Sequence, residues 1–298
     1  MRRVADLLGK AAGTEVAGVL KLADGSVAPW KEVLERTFWD VTDSIGENQR
    51  MLFMWDEVPL LIENIAKRQT PYVAMEVLDV IRSLTQDFDN VRTLLTGSIG
   101  LHHVLKSLKS AGYKGSPFNR MELFRPGPLA SSDATLLAGR LLQGEAIIVD
   151  NLEKCSGAIA ALVGNAAFYV HKLISRLPRG TTHTTHSIAA VLDTQLADLN
   201  NDWDLEHYLT RLDEYYTADA PLAVAILDTV AISSSMTFEE IGSTANSKMA
   251  VDDEKLRQVL KLLCKDHYLD HIGNGRYVFY LAVVARCWRI ARDLREVR

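Results

Sequence analysis

The sequence predicts an α/β fold, with a partial parallel sheet followed by a helical part and then by three helices and a β-hairpin. A continuous apolar run, MLFMW, and a second strand candidate, VRTLLT, alternate with helical patterns, which indicates βαβ units with right-handed crossovers. From Ser131 the pattern is helical only. Near the C-terminus, HYLDHIGNGRYVFY indicates a hairpin that turns at Gly273-Asn274-Gly275.

Composition limits the class of protein. The chain has 298 residues, 48% of them hydrophobic, enough for two or three compact units. Its formal charge of −5 excludes a surface that is basic overall, so any nucleic-acid contact has to come from a local patch. No apolar run is long enough for a membrane helix, and MRRVADLLGKAAG lacks the apolar centre of a secretory signal. We therefore expect a cytoplasmic protein without membrane contact.

The cysteines support the same compartment. Cys155, Cys264 and Cys287 lie far apart and form no CxxC pair. This pattern is typical of a reducing environment and provides neither a zinc site nor a disulfide framework.

Two helices and a β-rich piece are predicted before the first strand, MLFMW. Residues 1–12 are predicted to form a short amphipathic helix, followed by a β-rich piece, TEVAGVLKL, and a turn at Asp24-Gly25. WKEVLERTFWDVTDSI then carries apolar residues at helical spacing, which predicts one buried face.

The sheet elements follow. MLFMW is continuously apolar, as expected of a strand covered on both faces of a parallel sheet. A helix is predicted from about Tyr72 to Thr85, then VRTLLT as a second strand, a Gly-Ser turn and a helix around LHHVLKSL. MELFRPGPL is a third strand candidate that ends at two prolines.

The rest of the chain divides into three segments. SSDATLLAGRLL, with Ser and Asp capping residues, and the apolar face from Cys155 to Leu177 predict a helical part over 130–180. RLPRGTTHTTHS is turn-rich and polar, so 181–217 is predicted as a linker with the connector helix WDLEHYLTRLDEYY. Over 218–298, three helices and the hairpin make a winged helix.

Two acids directly follow the first strand. Asp56 and Glu57 come at its carboxyl end, where open parallel sheets bind ligands. In that position Asp56 could hold Mg²⁺ through its waters, and Glu57 could polarise a water that attacks a phosphate. The alternative is an acid pair that only caps a helix.

RMLFMWDEVP followed by VRTLLTGSIGL resembles the Walker B and sensor-1 strands of P-loop ATPases of the AAA/STAND superfamily. The similarity is greatest to archaeal-type ATPases with a C-terminal winged helix. MELFRPGPLASSDATLLAGRLL and SGAIAALVGNAAFYVHKLI resemble that family's helical lid, although GNAAF has alanine where the family has proline. The resemblance covers nearly the whole chain and implies a P-loop core at 1–129, a lid at 130–180 and a winged helix at 218–298.

The resemblance also implies roles for individual residues. Asp56 corresponds to the Mg²⁺-associated acid and Glu57 to the catalytic base, with ATP and Mg²⁺ as cofactors. Thr96 or Ser98 corresponds to the sensor that contacts the γ-phosphate. Arg120 and Arg125 are candidates for arginines that act in trans in an oligomer, or are ordinary surface residues.

The phosphate loop of this family is absent from the sequence. The pattern GxxxxGK[ST] is needed because its backbone N–H groups and lysine surround the phosphates, yet Gly9-Lys10 is followed by Ala11, and Val4 replaces the first glycine. Either the start has been placed too far downstream and a loop precedes it, or the chain is a relic that keeps the fold without catalysis. As written, the chain is expected to bind ATP weakly or not at all.

The winged helix suggests a second class of function. A recognition helix could present Lys255, Arg257 and Lys261 to DNA, with Arg276 beside the wing. Against this, the helix opens with Asp252, Asp253 and Glu254. We expect an ATP-dependent regulator or switch, and the alternative is a non-catalytic scaffold that binds DNA or protein. The motif His183-x-x-His186 is weak as a metal site because no third ligand is near.

Overall fold

The computed structural model describes residues 30–43, 49–88, 90–97, 100–119, 121–124, 126–198, 203, 205, 207–233 and 235–295. The N-terminal helix, TEVAGVLKL and the turn at Asp24-Gly25 lie outside these residues. The chain forms two compact units, Met1–Leu123 and Phe124–Arg298, called the N-terminal and C-terminal units below. The structure is mixed α/β and mostly helical, with small sheets. Within the described part of the chain, no helix has both the length and the apolar character needed to cross a membrane.

The N-terminal unit contains a parallel sheet, as predicted, which has two strands in the described residues. Its elements are α1 (Trp30–Asp43), β1 (Met51–Trp55), α2 (Val58–Arg68), α3 (Pro71–Asp87), β2 (Val91–Leu95) and α4 (Leu101–Ser110). The strands run in register from the pair Met51 and Val91 to the pair Trp55 and Leu95. Helix α2 was not predicted, although Pro59 in its first turn is a signal for a helix start.

One face of this sheet is packed and the other is exposed. Phe53 faces inward and stacks on Phe38 of α1 with ring centroids 4.4 Å apart, and α3 packs against the same face. On the opposite face, Leu52 and Met54 are 53% and 73% exposed. The prediction that MLFMW is covered on both faces is therefore wrong for the described residues, because their helices lie on one side only.

The third strand candidate is also corrected. Residues 121–124 and 126–130 of MELFRPGPLA contain no strand. Pro126 and Pro128 have no backbone N–H to donate to a sheet, and Leu123 and Phe124 are 72% and 80% exposed. Residues 126–130 belong to the C-terminal unit, where the Leu129 N–H donates to the Asn165 carbonyl at 3.0 Å.

The first half of the C-terminal unit is a helical bundle. It consists of α5 (Ser131–Gly144), β3 (Ile148–Val149), α6 (Leu152–Leu162), α7 (Ala167–Ser175), β4 (Thr182–His183) and α8 (Thr185–Ala197). The apolar face from Cys155 to Leu177 is split into α6 and α7 because Gly164 and Asn165 adopt positive φ angles of 65° and 59°. Five side chains at 0% exposure form the centre of its core: Leu142, Ile159, Leu173, Ile188 and Leu192.

The segment predicted as a linker contributes to this core. β4 pairs in parallel with β3, and α8 begins with a capping box between Thr184 and Ser187. Ile188, on the first turn of α8, is completely buried. The polar THTTHS sequence is therefore a helix start, because its Thr and Ser side chains satisfy the backbone N–H groups of α8.

The second half contains the three predicted helices and the hairpin. Its elements are α9 (His207–Tyr216), α10 (Ala220–Ala231), β5 (Met236–Thr237), α11 (Phe238–Lys248), α12 (Asp253–Lys265), β6 (Leu269–Ile272), β7 (Arg276–Phe279) and α13 (Ala282–Ala291). The antiparallel sheet has the order β5-β7-β6. Helix α13 joins both halves, because Val284 lies in the core of the first and Trp288 in the core of the second.

Candidate functional site

The two parallel strands bring Asp56 and Thr96 to the same edge of the sheet. Trp55 and Leu95 are the last paired residues of the two strands, and Asp56 and Thr96 follow them directly. The backbone connection continues beyond the strands, because the Thr96 N–H donates to the Trp55 carbonyl at 2.9 Å and the Val58 N–H donates to the Thr96 carbonyl at 3.1 Å. The start of α2 is thereby fixed against the end of β2.

The Asp56 carboxylate is held by two donors. The Thr96 hydroxyl donates a hydrogen bond to its Oδ1, and the Glu57 N–H donates to the same atom at 3.0 Å. Asp56 and Thr96 are both exposed. A carboxylate has about four lone-pair sites over its two oxygens, so a carboxylate oriented through Oδ1 can present Oδ2 to a cation or a water molecule.

Glu57 has an unusual backbone conformation. It precedes α2 as the N-cap residue with φ 52° and ψ 37°, in the left-handed region, and its side chain makes no capping hydrogen bond. For a residue other than glycine this conformation costs about 1–2 kcal/mol. Strained residues cluster at active sites, and the half-buried Glu57 is next to the anchored Asp56.

The donor set fits Mg²⁺ better than it fits the phosphates of ATP. Magnesium prefers oxygen ligands and keeps several of its waters, which suits an exposed, oriented carboxylate with a hydroxyl beside it. Phosphates need a cradle of backbone N–H groups, and the sequence has no GxxxxGK[ST] pattern. Five further residues named from the sequence lie outside the described residues: Gly9, Lys10, Ser98, Arg120 and Arg125.

The histidines of the His183-x-x-His186 motif and Cys155 lie in surroundings that favour a structural role. Nε2 of His183 lies 2.8 Å from the Pro178 carbonyl oxygen, inside the C-terminal unit, whereas His186 is exposed on α8. Sγ of Cys155 lies 3.2 Å from Oδ1 of Asp150, and burial raises the pKa of this thiol. A protonated, fully buried thiol is a poor nucleophile.

Most of the basic residues named for DNA contact acids of this chain. Lys255 Nζ lies 2.5 Å from Asp219 Oδ1. Arg257 lies within 4 Å of the carboxylates of Asp253 and Glu254, with its guanidinium over the Phe238 ring.

The basic residue beside the hairpin, Arg276, also contacts an acid of this chain. Arg276 donates to the Ser235 carbonyl at 2.8 Å and lies 3.5 Å from the Glu240 carboxylate. Lys261 is exposed on α12. The pairing reduces the positive charge that this surface offers to a phosphate backbone.

Comparison with known proteins identifies the fold. No protein-family profile matches the chain, and no curated protein matches it. Among solved structures, it matches the Walker-type ATPase of Pyrococcus abyssi with a TM-score of 0.63 and 17% identity, over 95% of this chain and 74% of that one. The chain shares its fold with a Walker-type ATPase. At this identity the match concerns the fold alone.

Proposed function

We propose that the chain is a nucleotide-binding protein of the Walker-type ATPase kind, with its Mg²⁺-nucleotide site where β1 and β2 end. The observation that carries this proposal is the hydrogen bond from Thr96 to Asp56 across two parallel strands. Ligands of open parallel sheets bind outside the carboxyl ends of the strands. The pair lies at that edge, and the shared fold supports the same assignment.

Each of the three residues has a role in this proposal. Asp56 would hold Mg²⁺ through the waters of the ion, and Thr96 fixes the Asp56 carboxylate through Oδ1. Glu57 would accept the proton of a water that attacks the terminal phosphate of a bound nucleoside triphosphate, with the nucleoside diphosphate as the leaving group. Bound Mg²⁺ would neutralise phosphate charge. The strained backbone of Glu57 sets the direction in which its carboxylate leaves the strand end.

We expect the affinity of the chain for Mg·ATP to be low. Without a GxxxxGK[ST] loop, binding rests mainly on the Mg²⁺ contact and on the exposed strand ends. We expect a dissociation constant for Mg·ATP of about 1 mM, equivalent to about −4 kcal/mol. Hydrolysis is expected to be slow for the same reason, since the phosphates are not held in line with the water that Glu57 activates.

The finer proposal is a nucleotide-dependent switch with a C-terminal winged helix. The support for the winged helix is the arrangement of α10, α11 and α12 with the antiparallel sheet β5-β7-β6. Nucleotide at the strand ends would set the orientation of this module, in the manner of other phosphate-dependent switches.

A second candidate function uses the same module without nucleotide. Winged helices bind DNA or proteins. The ion pairs of Lys255, Arg257 and Arg276 favour a protein-binding scaffold over a DNA-binding one, because paired cations release fewer phosphate counterions.

An equilibrium titration tests the main proposal. A fluorescent ATP analogue is titrated with and without Mg²⁺ into the wild-type chain, Asp56→Asn and the control Asp87→Asn, which removes another exposed carboxylate of the same unit. We expect Mg²⁺-dependent binding in the wild type and the control, weakened about tenfold or more in Asp56→Asn, since one lost charge-assisted contact is worth about 1.5–3 kcal/mol. Equal binding by all three proteins would refute the site.

A further inference from the structure

The helical bundle of the C-terminal unit has a cavity of about 420 Å³ between α5 and α7. Leu141 and Glu145 line it from α5 and the residue that ends this helix, and Phe168 and Lys172 line it from α7. Residues four positions apart share one face of a helix, so each helix turns a single face towards the cavity. A volume of this size lies within the range of small-molecule sites, roughly 300–1,000 Å³.

The floor of the cavity is apolar. Ile174 is 2% exposed and belongs to the core of the bundle, and the half-buried Leu141 packs against the same core. Phe168 is 52% exposed, and its ring meets the ring of the buried Tyr169 edge to face with centroids 5.1 Å apart. An exposed aromatic ring above an apolar floor offers a ligand surface to cover.

The rim of the cavity carries a net positive charge. The Lys172 ammonium lies 5.4 Å from the centroid of the Phe168 ring, and Nη2 of Arg179 donates to Oε2 of Glu145 at 2.6 Å. A guanidinium has five N–H donors, so the contact with Glu145 leaves donors for a second carboxylate. With His171 counted as neutral, two cations against one acid leave one positive charge on the lining.

These features select one chemical class of ligand. A neutral apolar molecule would cover the floor but would leave the charge of the rim unused. A polyphosphate would bring several negative charges close to Glu145 and would not cover the apolar floor. A carboxylate matches the fork of Arg179, as the existing pair with Glu145 shows, and an apolar body matches Leu141, Phe168 and Ile174.

We propose that the cavity binds a small molecule with one carboxylate and an apolar body, in the manner of a medium-chain fatty acid. Lys172 and Arg179 bind the carboxylate, while Phe168 and Leu141 cover the apolar body over Ile174. The proposal does not depend on nucleotide binding, because every residue in it belongs to the C-terminal unit.

An NMR titration of the isotope-labelled full chain tests the proposal. The probes are decanoate, kept below its micelle concentration, decanol as the neutral molecule with the same apolar chain, and acetate as the same head group without it. We expect decanoate to shift the amide signals of α7 in a saturable way. Decanol is expected to bind about fivefold more weakly or less, since it lacks the charge-assisted contacts, and acetate is expected not to saturate.

Three variants and a matched control locate the site. Lys172→Gln and Phe168→Ala should each weaken decanoate binding about fivefold or more, because one removes a charge-assisted contact and the other removes apolar surface. Lys172→Arg keeps the charge and should keep the affinity. The control Arg140→Gln removes an exposed cation of α5 outside the lining of the cavity and should bind as the wild type does.

Four results would overturn the proposal. They are equal affinity for decanol and decanoate, equal affinity in Lys172→Gln and Arg140→Gln, saturable shifts confined to other segments of the chain, and no saturable shifts at all. The spectrum of each variant without ligand shows whether it is folded. Phe168→Ala replaces an exposed ring and therefore provides the test if the half-buried Lys172 does not tolerate exchange.

Discussion

Thr96 donates its hydroxyl hydrogen to Oδ1 of Asp56, although the two residues are 40 positions apart in the sequence. They meet because β1 and β2 are parallel and end in register at Trp55 and Leu95. The sheet topology therefore creates the oriented carboxylate on which the proposed site depends.

Thr96→Val tests whether this hydrogen bond orients Asp56. The bond is exposed, so its loss should lower the free energy of unfolding by less than about 1 kcal/mol. Mg²⁺-dependent nucleotide affinity should fall several-fold, because the carboxylate is no longer fixed through Oδ1, and Thr96→Ser should restore it. The comparison uses urea unfolding together with nucleotide titration. Unchanged affinity in Thr96→Val would show that Thr96 does not position Asp56.

Glu57→Gly is expected to stabilise the fold while removing the proposed base. Glycine adopts a φ of 52° without steric cost, so the free energy of unfolding should rise by about 1 kcal/mol. Glu57→Ala keeps the strain and should give no such gain. Thermal unfolding of the two variants separates the backbone effect from the loss of the carboxylate. Equal stability of the two variants would contradict a strained backbone at Glu57.

Two glycines of the C-terminal unit should respond to alanine in opposite directions. Gly164 has a φ of 65°, and a Cβ there would lie 3.1 Å from the backbone nitrogen of Ala282. Gly164→Ala should therefore destabilise the unit by about 1–2 kcal/mol or more. Gly157 lies inside α6, where an added Cβ meets nothing within 4 Å. Gly157→Ala should stabilise by about 0.5–1 kcal/mol, and denaturant unfolding of both variants provides the check.

Two half-buried thiols should make the C-terminal unit less stable at alkaline pH. Burial raises the pKa of Cys264 and of Cys287 from 9.0 to about 11, and Asp270 adds to the effect at Cys264. In the unfolded chain the thiols lose their protons near pH 9, whereas in the folded chain they keep them to about pH 11. The stability contribution is therefore complete below pH 9 and is lost as the pH rises towards 11.

The double variant Cys264→Ala/Cys287→Ala isolates this effect. Its free energy of unfolding should fall less between pH 8 and pH 10.5 than that of the wild type, as measured by urea unfolding at each pH. Buried tyrosines such as Tyr268, whose pKa burial also raises, contribute to the decline in both proteins and cancel in the comparison. Identical declines would show that the thiols ionise freely in the folded chain.

The parts of the structure that follow local rules were predictable from the sequence. MLFMW and VRTLL form strands because both are short, rich in apolar or β-branched residues and bounded by polar residues. Helix α12 follows the helical spacing of Leu256, Val259 and Leu263, all buried. The proximity of Asp56 and Thr96 follows from parallel pairing, once both segments are recognised as strands.

Other features depend on tertiary structure and could not be predicted in this way. The apolar composition of MLFMW suggests a strand covered on both faces, but it does not show that Leu52 and Met54 are exposed in the structure. The polar sequence at Thr184 resembles a linker until its hydroxyl is seen to cap α8. The left-handed backbone of Glu57 has no sequence signal, since glutamate rarely adopts it.

The most direct test of the nucleotide site is paramagnetic broadening with Mn²⁺ in place of Mg²⁺. Amide signals of the isotope-labelled full chain are followed by NMR as Mn²⁺ and then ATP are added, with Asp56→Asn as the control. The account predicts that the amides of Asp56, Glu57 and Thr96 broaden first, more strongly with ATP present, and that Asp56→Asn removes the effect. Broadening elsewhere in the chain, or an unchanged pattern in Asp56→Asn, would contradict a nucleotide site at the ends of β1 and β2.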